Sequence, residues 1–148
     1  MFEVDVVKIY DAEDQIIGRM ASVIAKQLLN GERVFVVNVG NAVLIGNRKD
    51  KLATYKTKRE RGDPHHGPFF PKTADGIFRR TVRGMLPWDR TRGREAYRRL
   101  RVYADIPVEL RGKEEQFEKI ETADRKKTRA RYVELGELAA ALGAKKRL

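Results

Sequence analysis

The side chains best suited to chemistry in this 148-residue chain are arginines. Residues 75–103, DGIFRRTVRGMLPWDRTRGREAYRRLRVY, carry Arg79, Arg80, Arg83, Arg90, Arg92, Arg94, Arg98, Arg99 and Arg101, and no lysine at all. Arginine has a planar fork that pairs phosphate through two parallel hydrogen bonds and stacks on bases, neither of which a lysine point charge can do. On a helix, Phe78, Val82, Met85 and Leu86 share one face. Arg79, Arg80 and Arg83 fall within about 100° of one another on a different face. This spacing predicts a helix that buries its apolar side and turns three guanidiniums toward a polyanion. A second cluster, Arg90 to Arg101, is anchored by Ala96, Tyr97 and Leu100. Gly84 and Gly93 are interleaved with the arginines and permit close approach of the backbone to another backbone or to a phosphate. The bland alternative is a solvated basic face, which the exclusive use of arginine argues against.

Other candidates surround this stretch. Lys56, Lys58, Arg59 and Arg61 close a basic segment just before it, and His65 and His66 follow in the loop HHGPFFP. Adjacent histidines without spaced carboxylate, His or Cys partners do not make a metal shell. Polar and aromatic side chains in a rigid loop beside a basic surface suit stacking on RNA, with packing by Phe69 and Phe70 as the simpler reading. The rival class is a Rossmann-type nucleotide-dependent enzyme acting on RNA. Against it, no G-x-G-x-x-G follows the first strand, no Walker-type loop is present, and Ser22 has neither a nucleophile elbow nor a nearby His. Pairs such as Asp11 and Asp14 are commonplace near strand ends. No catalytic constellation, cofactor or small-molecule substrate is expected.

Charge supports a polyanionic partner. The formal net charge is +11, and 36% of residues are charged against roughly 25% in an average globular chain. Residues 47–103 carry 17 basic and 6 acidic side chains, whereas residues 1–46 carry 4 and 6 and residues 104–148 carry 11 and 9. One basic surface on a neutral scaffold is therefore expected. The absence of cysteine excludes disulfides, Cys-based zinc sites and Cys nucleophiles, and agrees with a reducing compartment. No signal peptide is readable, and no apolar run approaches the roughly 18 residues of a membrane span. A basic membrane-surface protein would pair large exposed apolar residues with the arginine face, and no such helix is seen.

These side chains need a scaffold. Val4 to Tyr10 reads as a strand, and Gly18 to Leu29 as a helix with an apolar stripe, stopped by Asn30-Gly31. RVFVVNVG follows as a strand buried on both faces, then AVLIG. Strand, helix, strand implies a crossover and a parallel sheet. Asn47 to Arg61 is a candidate helix capped by Asn47, with Leu52 and Tyr55 as its buried contacts. Residues 62–74 form a Gly/Pro-rich loop, and Asp75 is the expected cap of a helix from Gly76 to Leu86 that Pro87 ends. Arg92 to Leu100 reads as a third short helix and Arg101 to Ala104 as a strand. Residues 105–131 look irregular, with a weakly helical acidic stretch at Glu114 to Glu121 and a basic run at Arg125, Lys126, Lys127, Arg129 and Arg131. Glu137 to Leu142 suits a short helix stopped by Gly143, before a Lys145-Lys146-Arg147 tail.

Taken together, DAEDQIIGRMASVIAKQLLNGERVFVVN, AVLIGN, IFRRTVRGMLP and RGREAYRRLRVYADIP resemble the universal large-subunit ribosomal protein thirteen family, in its archaeal and eukaryotic branch. The likeness runs from about Tyr10 to Pro107 and resumes at YVELGELAAALG. It implies an α/β chain: a three-layer α/β/α domain on a short, mainly parallel Rossmann-like sheet, with basic loops and a short C-terminal helix. A single domain over residues 1–148 follows, non-catalytic and cytoplasmic in the large ribosomal subunit. Its implied partners are large-subunit rRNA and neighbouring ribosomal proteins, with a part in early subunit assembly. The family's RNA-facing block falls on Arg79, Arg80, Arg83, Gly84, Met85 and Leu86, continuing through Arg92, Gly93 and Arg94. Its N-terminal signature falls on Asp11, Gly18, Arg19, Ala21 and Ser22. Trp88 departs from the family pattern, which has His or a basic residue after GMLP.

Overall fold

The computed structural model describes residues 7–62, 65–67 and 70–144. The beginning of the expected first strand, Val4 to Val6, lies outside the described residues, as do Phe69 and the Lys145-Lys146-Arg147 tail. Strand β1 (Val7–Asp11) leads into helix α1 (Ile17–Leu29) and returns as β2 (Arg33–Val37). β1 and β2 are parallel, with Val7 opposite Arg33. Helix α1 forms because Ile17, Met20, Ala21, Ile24, Ala25 and Leu28 recur at helical spacing and are all buried. It ends where Asn30 donates its N–H to Lys26 O and Gly31 takes a φ of +93°, a conformation free of penalty only without a Cβ.

The main sheet runs β4-β2-β1-β5, with every pair parallel; β4 is Leu100–Val102 and β5 is Phe117–Glu118. Strand β3 (Val43–Ile45) stays out of it and pairs antiparallel with β6 (Tyr132–Glu134). The diversion begins at Asn38, whose φ of 58° turns the chain into a 3₁₀ turn over Val39–Asn41. Asn is among the few side chains that accept this left-handed region, and here its Nδ2 donates to Asp11 Oδ1 at 3.1 Å.

Alternation along the strands divides the core. Tyr10, Val34, Val36, Leu100 and Val102 face one side, packed with Ile17, Met20, Ile24, Phe78, Val82 and Leu138. Ile9, Phe35 and Val37 face the other, beside Phe117 of β5, and Tyr103, Ile106 and Leu110 cover them. That outer layer is turn and loop rather than α-helix. The stretch expected to be irregular is thus a working layer of the fold. Its Glu114 to Glu121 portion is not helical: a 3₁₀ turn at Glu114–Gln116 passes into β5, because Phe117 packs onto the sheet and the backbone pairs with β1. Gln15, 1% exposed, accepts from Ile120 N at 3.0 Å and ties this layer down.

The remaining helices are α2 (Arg48–Glu60), α3 (Ala74–Arg83), α4 (Thr91–Arg98) and α5 (Leu135–Ala141). Asn47 caps α2 as expected, accepting from Lys49 N at 3.0 Å. The cap of α3 is not Asp75 but Thr73, whose hydroxyl accepts from Gly76 N at 3.3 Å. Asp75 sits in the first turn instead, where its charge complements the helix dipole. Helix α3 stops at Arg83, short of Leu86, because the chain tightens through Met85 N to Val82 O at 3.0 Å. Met85 is consequently 42% exposed, off the apolar face expected for it, while Leu86 still reaches the core.

Candidate nucleic-acid interface

Helix α3 packs on α1 through Ile77, Phe78 and Val82, which leaves Arg79, Arg80 and Arg83 half-buried at the protein surface. Each lies over an aromatic ring. The Arg79 guanidinium is 5.1 Å from the Tyr97 centroid, Arg83 is 4.2 Å from Trp88, and Arg80 is 5.9 Å from Phe70. Trp88 and Tyr97 meet edge to face at 5.2 Å, so Arg79, Tyr97, Trp88 and Arg83 form one continuous stack. Cation–π contact holds long side chains in place at little desolvation cost. Among the described residues, neither Arg79 nor Arg83 is ion-paired with a carboxylate, whereas Arg125 pairs with Asp14 and Lys127 with Glu121.

Phe70 joins the two basic regions. It packs on Tyr55 of α2 at 5.8 Å, and Lys58 lies 5.6 Å from its centroid on the side of α2. The exposed end of α2, with Lys56, Lys58, Arg59 and Arg61, is thereby brought beside Arg80. Burial pushes the Tyr55 phenol above its ordinary range. His65 and His66 are exposed in the turn after α2. Arg90, Arg92 and Arg98 are exposed around α4.

Other candidates prove to hold the protein together. Arg99 donates to Leu28 O at 2.6 Å, closing the end of α1. Arg94 donates through Nε to Trp88 O at 3.0 Å, and Arg59 donates to Leu142 O at 3.1 Å at the end of α5. Arg101 sits on β4 between buried Leu100 and Val102, so it points to the opposite side of the sheet from α3. The two glycines also separate. A Cβ on Gly93 would run into the carbonyl of Pro87, so this glycine serves the protein's own backbone packing. One on exposed Gly84 would find nothing nearer than Thr81 O at 3.6 Å.

Hollows open at the surface formed by the described residues. One of about 460 Å³ is lined by Arg80, Arg83, Gly84, Leu86 and Trp88. Another of about 610 Å³ lies beyond the carboxyl end of β4, the place where open α/β sheets bind nucleotides. Asp75, Asp105, Glu134 and Glu137 line it and no described basic residue does, which opposes a phosphate ligand there. No group of His, Cys, Asp and Glu suited to a metal occurs among the described residues, and no described helix is long and apolar enough to cross a membrane.

Residues 5–109 match the family model for Ribosomal protein L13. The chain belongs to the ribosomal protein L13 family. It is 50% identical over 137 residues to the large ribosomal subunit protein uL13 of Archaeoglobus fulgidus, covering 91% of this chain and 86% of that one. It is also 46% identical to the uL13 of Methanosarcina barkeri, over 93% and 98% of the two chains, and 44% identical to that of Methanopyrus kandleri, over 91% and 86%. Membership of a structural ribosomal family sets aside the Rossmann-type enzyme. What sequence reasoning missed in this L13 chain is that Phe70, Trp88 and Tyr97, each noted for another reason, are the rings on which the arginines rest. Its signal is present as aromatic residues interleaved with the arginine run.

Proposed function

We propose that this protein is a structural component of the large ribosomal subunit that binds rRNA through the face of α3 and α4 and supports early subunit assembly. The whole chain acts as one rRNA-binding domain in the cytoplasm, beside other large-subunit proteins. The observation that carries this reading is the aromatic-braced guanidinium set of Arg79, Arg80 and Arg83. Packed RNA backbones repel one another, and fixed guanidiniums between them lower that repulsion in a geometry set by the scaffold. Arg90, Arg92 and Arg98 extend the face, and Lys56, Lys58, Arg61, His65 and His66 supply its flank beyond Phe70. Arg94 and Arg99 act chiefly by shaping it.

The test is a titration of large-subunit rRNA with Arg79, Arg80 and Arg83 replaced together by Gln. Affinity should fall and the slope of log K against log salt should lessen by about 2 to 3, one contact per lost charge. Circular dichroism should show the fold retained. An unchanged slope in a folded variant overturns the assignment, as would failure of tagged protein to sediment with the large subunit.

A further inference from the structure

We propose that the hollow beside Trp88 is a binding site for one unpaired nucleotide of RNA, whose base stacks on the Arg83 guanidinium. The proposal rests on the rRNA-binding reading and names the part of the RNA that this spot takes. Trp88 is the only tryptophan of the chain, and it lies half-buried at the surface rather than in the core. Tyr97 braces it edge to face, and Arg83 covers its ring at 4.2 Å. A guanidinium fixed in this way is a delocalised plane, and bases of single-stranded RNA stack on such planes as they do on aromatic rings. The hollow measures about 460 Å³, within the roughly 300–1,000 Å³ of pockets that hold small organic groups.

The rim fits a nucleotide in its other parts. Gly84 lies on it with no atom of the protein near enough to require a glycine, so the missing side chain leaves room for an incoming ribose-phosphate. Arg80 lines the same hollow and adds positive charge to its rim. Leu86 forms an apolar part of the lining. A base inside an A-form duplex is stacked and recessed, and cannot enter a hollow of this kind; a loop, bulge or strand end can.

The single tryptophan makes the site its own reporter. Full-length protein is titrated with three probes of equal length: single-stranded oligoadenylate, the same strand with abasic sites, and an A-form duplex. Bound fraction is read independently from a label on the RNA. At equal bound fraction the oligoadenylate should quench Trp88 emission and the other two should not. Trp88→Ala should weaken oligoadenylate binding roughly tenfold more than duplex binding, and Trp88→Phe, which keeps a ring under Arg83, should recover most of that loss. Equal quenching by all three probes, no quenching by any of them while they bind, or equal loss of both affinities overturns the proposal. Each of those results leaves RNA binding itself intact. Failure of every probe to bind overturns this proposal together with the reading beneath it.

Discussion

Replacing Gly93 by alanine should destabilise the protein, although alanine is the better helix former. Gly93 is the third residue of α4, and a Cβ there would meet the carbonyl of Pro87 well inside van der Waals contact and its nitrogen at 3.0 Å. The obstacle is backbone, so no side-chain rotation relieves it. Moving Pro87 away disturbs the turn in which Arg90 N donates to Pro87 O at 3.0 Å, and with it the Trp88 carbonyl that Arg94 holds. Overpacking costs about 1–3 kcal/mol and a weakened hydrogen bond about 1 kcal/mol. The gain in helix propensity returns about 1 kcal/mol. A net loss of about 2 kcal/mol remains, and in a chain of this size each 1 kcal/mol lowers Tm by about 2–4 °C. Urea and thermal unfolding, followed by circular dichroism and by Trp88 emission, measure it. Gly84→Ala is the control: its Cβ clears its neighbours, so it should leave stability level or raise it by about 0.5 kcal/mol. A Gly93→Ala protein as stable as the wild type would refute the close approach on which the placement of Trp88 depends.

Three further outcomes are expected. Arg99→Met should cost about 1.5–3 kcal/mol by removing a charged donor from Leu28 O, with little change in the salt dependence of RNA binding; a large drop in that slope would return Arg99 to the RNA face. Asn47→Ala should cost about 1 kcal/mol of stability through loss of the α2 cap, and an unchanged urea midpoint would contradict it. Tyr55 resists ionisation in the folded state because burial raises its pKa above 10.0, so its share of stability is complete below that pH and is lost as pH climbs through the higher folded value. Tyr55→Phe should therefore show a shallower alkaline fall in urea midpoint than the wild type.

Where local rules act alone, the sequence was a good guide. The α1 stripe, its Asn-Gly stop, the Asn47 cap and the parallel β1-β2 pair follow from periodicity and capping chemistry. The departures occur where tertiary contact decides. Thr73 and Asp75 are both good cap residues, and only the entry path of the chain selects Thr73. Met85 has the right helical spacing, but α3 ends before spacing applies. β5 is two residues long and exists because β1 offers an open edge, which no local pattern reveals. The arginines were visible as a set, yet their division into outward and structural members was not. Whether a guanidinium meets a helix-end carbonyl, as at Arg99, or a ring, as at Arg83, depends on elements distant in the chain.

The pairing of β3 with β6 bears on synthesis. Leu135 and Leu138 are completely buried against residues from the first half of the chain, and Leu135 N reaches Ala42 O at 2.8 Å. A nascent chain that has emerged through β4 already carries every arginine of the central run, but its hydrophobic seam still lies open along α3 and the Val39 turn. The rings that brace Arg79 and Arg83 and the helix on which α3 packs are made before β6, so the closing segment adds the cover of the seam and not the basic surface itself.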